Sequence, residues 1–240
     1  MKWRSLEESK PGQDTRPLRE QFAERRALIE KLVPPELTAV HRQVVEDLQK
    51  SGIAERALQP GAKTPAFALP DHNRKPVTSA DLLSQGRLIL CFIRGRWDPF
   101  CCGQLEAMAA YLPRFEQAGA TVAFISPQTV KHSFFMHDQH RPRFPLLSDA
   151  GNQVARQFGL VYRVPNTPPT DQQDIYRRAF INLPNTNGDP SWELPIPATF
   201  VLDRNATILY ASANPDYTER PEPAEILKQL DSPDTTLRPS

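Results

Sequence analysis

The sequence predicts an α/β protein: a three-layer sandwich around a mixed central sheet, preceded by an N-terminal helical hairpin. Three observations carry this reading. Apolar, β-favouring runs at 88–93 and 121–125 have the composition of strands buried on both faces, and each leads into a stretch with helical apolar spacing. Short runs at 199–202 and 207–210 flank Asp203-Arg204-Asn205-Ala206 as a hairpin. Two amphipathic stretches near the start are separated by Pro34-Pro35. Alternating strands and helices that end in a hairpin and a helix give a mixed sheet covered on both sides.

In chain order, residues 1–15 are polar and read as a loose tail. A helix over 17–33 carries Leu18, Phe22, Leu28, Ile29, Leu32 and Val33. A second over 36–50 carries Leu37, Val40, Val44, Val45 and Leu48 on one stripe, with Gly52 where a C-terminal cap belongs. This pair must lay its apolar face on the following domain or on a second subunit. Gln59-Pro60-Gly61 marks the boundary, so residues 1–58 form a helical extension and 59–240 the main domain. Extended pieces at 67–69 and near Val77 bracket a turn at Asp71-His72-Asn73. A helix over 101–112 follows the strand at 88–93. The strand at 121–125 is followed by a helix over 127–140, a short strand at 144–147, and a brief helix carrying Val154 and Phe158 that Gly159 closes. Residues 163–195, rich in Pro, Asn, Asp and Thr, read as a long irregular loop, which in a compact domain is more often functional than idle. A helix over 224–230 closes the fold.

Composition excludes several classes. With 240 residues, 39% hydrophobic and 24% charged, the chain has ample material for a core. A net charge of +1 gives no reason to expect nucleic acid or an anionic membrane as partner. The start has no apolar signal region and no run is long enough to span a bilayer, so a cytoplasmic protein is expected. The 25 prolines are interspersed with apolar runs and suggest stiffened loops. Three cysteines in a chain of this length are no disulfide framework and suit a reducing compartment.

The stretch that carries chemistry runs from 88 to 112. The strand ends at Arg94-Gly95-Arg96, Trp97-Asp98-Pro99 make a short turn, and Pro99 suits the entry to a helix. Cys101 then falls in the first turn, on the face towards the sheet. Unpaired N–H groups and the positive end of the helix dipole favour a thiolate there. The expectation is a sulfur open to solvent and kept ionised by those amides.

Together these pieces resemble the peroxiredoxin-like (AhpC/TSA) form of the thioredoxin fold. Six stretches carry the match in order: Gly61-Ala62-Lys63-Thr64-Pro65-Ala66-Phe67-Ala68-Leu69, Phe92 to Cys101, Ile125-Ser126-Pro127-Gln128, Leu147-Ser148-Asp149, Pro197 to Asp203, and Asp216 to Pro223. The resemblance covers roughly residues 55–230 and implies a thioredoxin-like sandwich and a thiol peroxidase needing no cofactor. Its substrate would be hydrogen peroxide or an organic hydroperoxide, and its reductant thioredoxin or a low-molecular thiol. Relatives are often dimers, which leaves a homodimer through the N-terminal helices open. Three positions depart from the family pattern. Asp98 stands where a Thr or Ser would bind the peroxide, and where the first Cys of a C-x-x-C pair would stand in this branch. Pro197 replaces the Arg that would stabilise the thiolate; in thioredoxins the matching proline follows a cis bond beside the cysteine.

The candidates therefore sort as follows. Cys101 is the nucleophile, or else a structural cysteine at a helix start. Asp98 raises the thiol pKa as a neighbouring carboxylate, yet paired with Arg94 or Arg96 it can orient a hydrogen bond as the missing Thr would; the alternative is a turn-capping Asp. Arg94 and Arg96 share a face of the strand end and are candidates for the missing positive charge. Cys102 is a candidate resolving thiol, against the strain of a vicinal disulfide, and Cys91 reads as core. Trp97, Pro99, Phe100 and Pro197 are expected to line the site, and Trp97, Trp192 and Tyr217 are candidates for a substrate mouth. His132, His137 and His140 cluster on one helix but lack a partner set for metal, so surface histidines and no metal are expected. Asp203 and Asp216 read as turn residues. Thiol–disulfide exchange and a chemically inactive binding or scaffold protein are the alternative functions.

Overall fold

The computed structural model describes residues 16–230, and the tail expected at 1–15 lies outside them. The N-terminal hairpin comprises α1 (Leu18–Leu32) and α2 (Pro35–Lys50), with Pro35 in the first turn of α2, where its missing N–H costs nothing. A one-turn helix, α3 (Ile53–Arg56), follows. Leu18, Phe22 and Val44 of the hairpin are buried against the rest of the chain, whereas Leu28 and Leu32 stay 50% and 56% exposed. The apolar stripe of α1 therefore docks chiefly through its N-terminal half, with Ile29 partly buried against the same cluster.

The main body begins with the small hairpin β1 (Ala68–Pro70) and β2 (Pro76–Thr78), then α4 (Ser79–Ser84). The last was not foreseen, although Thr78 and Asp81 close a capping box at its start. Next come β3 (Arg87–Phe92), α5 (Pro99–Gln117), β4 (Ala120–Ser126), α6 (Val130–His140), β5 (Leu146–Ser148), α7 (Gln153–Gln157) and β6 (Val161–Arg163). The chain finishes with α8 (Gln172–Arg178), α9 (Leu183–Asn187), β7 (Glu193–Pro195), β8 (Ala198–Leu202), β9 (Ile208–Ala213) and α10 (Pro223–Leu230). The expected irregular loop at 163–195 is thus a folded excursion. It holds two short helices, and β7 returns antiparallel to β6. The helix expected to stop at 112 continues through Pro113 to Gln117, because Phe115 beyond the proline is fully buried and its packing offsets the lost hydrogen bond.

The central sheet has the order β5-β4-β3-β8-β9, with β3, β4 and β5 parallel and β8 and β9 antiparallel to β3 and to each other. This is the mixed-sheet sandwich read from the sequence. Side chains of β3 alternate between two cores. Leu88, Leu90 and Phe92 join one with Phe158, Tyr162, Tyr176 and Phe200, while Ile89, Cys91 and Ile93 join the other with α5 and α10. Strand β3 can start close beside β4 because Gly86 lies at φ 150, where a Cβ would meet the Gly119 carbonyl oxygen. Beyond the C-terminal end of β3 the chain turns through residues 93–98 into α5. Among the described residues no helix is long and apolar enough to cross a membrane.

Candidate active site

The turn between β3 and α5 is shaped by Gly95 and Asp98. Gly95 sits at φ 144 with Trp97 and Gln128 so near that a Cβ would collide with them. Its carbonyl accepts from the Asp98 amide at 3.2 Å. Asp98 is the N-cap of α5: its Oδ1 accepts from the Phe100 amide at 2.9 Å. Its Oδ2 accepts from Arg94 Nε at 2.8 Å and from the Cys101 thiol at 3.0 Å. One buried carboxylate therefore caps the helix, pairs with a guanidinium and receives a thiol.

This overturns the expectation for the sulfur. Cys101 lies in the first turn of α5 facing the sheet, but it is 0% exposed and receives its amide hydrogen bond from Arg94 N, before the turn, at 3.4 Å. Asp98, not the sulfur, takes a free amide of the helix start. Burial, and then the Asp98 carboxylate, push the Cys101 thiol up to about 11, against the pull of Arg220 and Arg94. Asp98 itself is held below the usual carboxylate range: burial opposes this, but Arg94, Arg220 and the two hydrogen bonds outweigh it. The resting pair is thus a neutral thiol donating to an ionised carboxylate.

Two cations balance that carboxylate. Arg94 is 3% exposed, donates to the Tyr176 hydroxyl at 3.2 Å, and lies over the rings of Tyr217 (3.8 Å) and Trp97 (4.9 Å). The Arg94 charge also reaches Tyr162, where it opposes the rise that burial imposes on the hydroxyl. The second cation, Arg220, was missed. Its Nη2 lies 3.5 Å from Cys101 Sγ, its Nε donates to Gln104 Oε1 at 2.7 Å, and its Nη1 donates to the carbonyls of Tyr217 and Glu219. Gln104 in turn donates to Thr199 Oγ1 at 3.1 Å, so β8, which Pro197 precedes in place of the expected arginine, still helps to seat a cation. Arg220 is the only basic residue of the 216–223 motif, a signal that was present in the sequence.

The remaining candidates divide. Arg96 is exposed and its guanidinium packs over Phe135 at 5.6 Å, so it does not share the site with Arg94; the strand ends at Phe92 and alternation no longer applies. Phe100 is buried between Phe22 and Tyr217, and Pro99 lends its carbonyl to Arg25. Cys102 donates to the Arg96 carbonyl at 3.3 Å, and burial, then Cys101 and Asp98, push its thiol far up. Cys91 lies in the core against Thr199. Pro197 is buried, but the only cis bond among the described residues is Pro168–Pro169, so the thioredoxin-type cis proline is absent at 197. Trp192 packs on Arg177, not on Arg94. The folded excursion supplies Tyr176, which sequence reading also missed.

Of the α6 histidines, expected at the surface, His140 is buried while His132 and His137 are half-buried. His140 is 1% exposed and its Nδ1 lies 3.0 Å from Glu106, His137 stacks on His72 at 3.6 Å, and His132 bonds Thr129. Among the described residues no three His, Cys, Asp or Glu side chains converge as metal ligands. Asp203 and Asp216 each accept backbone amides two residues on, as turn residues do.

The sequence pattern of the AhpC/TSA family matches residues 60–211. A putative peroxiredoxin of Mycobacterium tuberculosis is 35% identical over 157 residues, covering 65% of this chain and 86% of the relative. The chloroplastic peroxiredoxin Q of Arabidopsis thaliana is 27% identical over 175 residues, covering 71% and 68%. Among solved structures, the peroxidoxin BcpB of Mycobacterium tuberculosis superposes with a TM-score of 0.57 at 22% identity, over 74% of this chain and 99% of that one. A yeast mitochondrial 1-Cys peroxiredoxin gives 0.54 at 16%, over 72% and 75%. The shared fold, the cysteine at the strand–turn–helix junction and these matches agree: the chain belongs to the AhpC/TSA family, the peroxiredoxin-like thiol peroxidases of the thioredoxin fold.

Proposed function

We propose that this chain is a thiol peroxidase in which Cys101 is the nucleophile, Asp98 moves its proton, and Arg94 and Arg220 balance the charge. The observation that carries this reading is the 3.0 Å contact from the Cys101 thiol to Asp98 Oδ2. The other two thiols meet a hydroxyl and a carbonyl, neither of which takes a proton near neutral pH. Cys101 need not ionise in advance. As its sulfur attacks one peroxide oxygen, the thiol proton passes to Asp98; the S–O bond forms while the O–O bond breaks. The sulfur loses two electrons and becomes a sulfenic acid, and the departing alkoxide or hydroxide takes the proton from Asp98 and leaves as alcohol or water. Two guanidiniums around one carboxylate leave the site one positive charge in excess, and because the proton only moves from the sulfur to Asp98 that excess persists and faces the negative charge building on the departing peroxide oxygen.

Regeneration takes two external thiols. The first condenses with the sulfenic acid to a mixed disulfide and releases water, and the second releases Cys101 and departs in a disulfide. Cys102 sits in the same helical turn with its thiol tied to a backbone carbonyl, which argues for an external reductant. The burial of Cys101 favours a low-molecular thiol over a protein such as thioredoxin, and the three free cysteines fit a reducing, cytoplasm-like compartment.

Stopped-flow consumption of hydrogen peroxide and an organic hydroperoxide tests this. Turnover faster than that of a free thiol, lost in Cys101→Ser and kept in Cys91→Ser, is expected; a wild-type rate equal to the free thiol, unchanged in Cys101→Ser, would refute it. One observation favours a second reading, a binding protein that has kept the fold without the chemistry: the thiol is fully buried and pushed up to about 11. Absence of turnover in the presence of a reachable Cys101 would select that reading. Thiol–disulfide exchange is a weaker third, since no cysteine stands three residues before Cys101.

A further inference from the structure

Helix α1 lies outside the span that the family pattern matches, yet it touches both halves of the site. On one side it meets the start of α5. Phe22 packs edge-on against Phe100 with ring centroids 5.0 Å apart and fills the space over Gly103, where a Cβ would come within 2.7 Å of its ring. Arg25 donates to the Pro99 carbonyl and its guanidinium lies 5.8 Å from the Phe100 ring. These contacts bracket Cys101 in sequence. On the other side α1 meets the segment that carries Arg220. Glu222 caps α1 from afar, accepting from the amides of Leu18 (3.0 Å) and Arg19 (2.8 Å). Arg26 pairs with Glu219 at 2.7 Å and reaches Thr218 at 3.4 Å. Residues 218, 219 and 222 bracket Arg220 as 99, 100 and 103 bracket Cys101.

The attachment is shallow. Only Leu18 and Phe22 of α1 are buried, and the Arg26–Glu219 pair is 36% and 48% exposed, so that pair adds little. Beside it runs a groove of about 190 Å³ between the hairpin and the site, walled by Ile29, His41 and Val45 on one side and Phe100 and Tyr217 on the other. A segment with few buried contacts opens locally before the core does.

We propose that α1 is a strap across the site: closed, it holds Arg220 against Cys101 and keeps the sulfur from solvent, and when it lifts at Phe22 the Cys101 turn becomes reachable while the sheet stays folded. Its purpose rests on the reading of Cys101 as the reacting sulfur, but its test needs no peroxide. Cys91, in the middle of β3, serves as an internal control, because only global unfolding exposes it.

The experiment is iodoacetamide labelling of the full chain in native buffer, followed at each cysteine by mass spectrometry, for wild type, Phe22→Ala and Arg26→Ala. Phe22→Ala is expected to raise the Cys101 rate at least about tenfold, the effect of about 1.4 kcal/mol less closure, with Arg26→Ala smaller and Cys91 unchanged in both. An unchanged Cys101 rate, or Cys91 rising in step with it, would overturn the strap. Should Phe22→Ala not fold, wild type in low urea gives the same decision. Cys101 labelling ahead of Cys91, with α1 amides exchanging hydrogen before those of β3 and α5, supports the strap; simultaneous labelling overturns it. A chain that labels as expected but consumes no peroxide would retain the strap and lose the proposed peroxidase.

Discussion

Cys91 and Cys101 belong to the same apolar cluster and neither is exposed, yet their surroundings differ in kind. Burial alone dominates at Cys91 and pushes its thiol up to about 12, with Thr199 and then Arg220 opposing weakly. At Cys101 burial is joined by a carboxylate that accepts the thiol proton and by two guanidiniums that oppose the rise. Both thiols stay protonated at neutral pH, but only one has somewhere to send its proton and cations to receive the charge left behind. A thiol becomes a redox candidate through the charges arranged around it, and exposure is a separate variable that a moving element can supply.

The strongest way to break this contrast is Asp98→Asn. It leaves Arg94 buried without its carboxylate and should cost about 3–5 kcal/mol of stability in urea melts. It should also lower the Cys101 pKa, since the carboxylate is one of the groups raising it, while Cys91 stays put. A stability loss below about 1 kcal/mol would mean the Arg94–Asp98 pair behaves like an exposed one.

A third titration lies at His41 of α2, which burial, and then Arg94, lowers to about 4. Between its ordinary value of about 6.5 and about 4 the unfolded chain takes a proton that the folded one refuses, so stability falls as the pH drops through that window. The slope is about 1.4 kcal/mol per pH unit, about 3 kcal/mol in all. His41→Gln should flatten this limb of the stability–pH curve; an unchanged slope would assign the loss to other groups.

The two thiols themselves govern the alkaline limb. Both are raised, so their contribution is complete below the unfolded value of about 8.5 and is lost as the pH climbs through about 11 for Cys101 and about 12 for Cys91. Cys91→Ala should therefore flatten the alkaline limb up to a higher pH than Cys101→Ser does, with equal limits contradicting the difference in charge environment.

The smallest expected effect is that of Arg220→Gln. Removing a cation within reach of Sγ should raise the Cys101 pKa and slow peroxide reduction about tenfold at pH 7, with partial rescue by Arg220→Lys. Arg96→Gln should change neither, because Arg96 is exposed and packs on Phe135.

The sequence was most legible where apolar periodicity is strong and local. The runs at 88–93 and 121–125 became neighbouring parallel strands, and the hairpin at 199–210 paired as expected. It was least legible where geometry depends on a few polar side chains. Residues 163–195 offer little periodicity, so α8 and α9 were hidden, although Asp171 and Asn182 cap them. At the site, the position of Cys101 followed from strand, turn and proline, but its ionisation did not. That depended on which acceptor took the free amide at the start of α5, and Asp98 did so with Oδ1 while turning Oδ2 to the thiol. Arg220 lies 119 residues from Cys101, and no local pattern joins the two.

The most direct test is to treat the protein with sub-stoichiometric hydroperoxide in the presence of a sulfenic-acid trap and map the adduct by mass spectrometry. The trap should be found on Cys101, with Cys91 and Cys102 unmodified and no bond between 101 and 102. An adduct shared equally among the three cysteines, or none on Cys101, would contradict the assignment of the reacting sulfur.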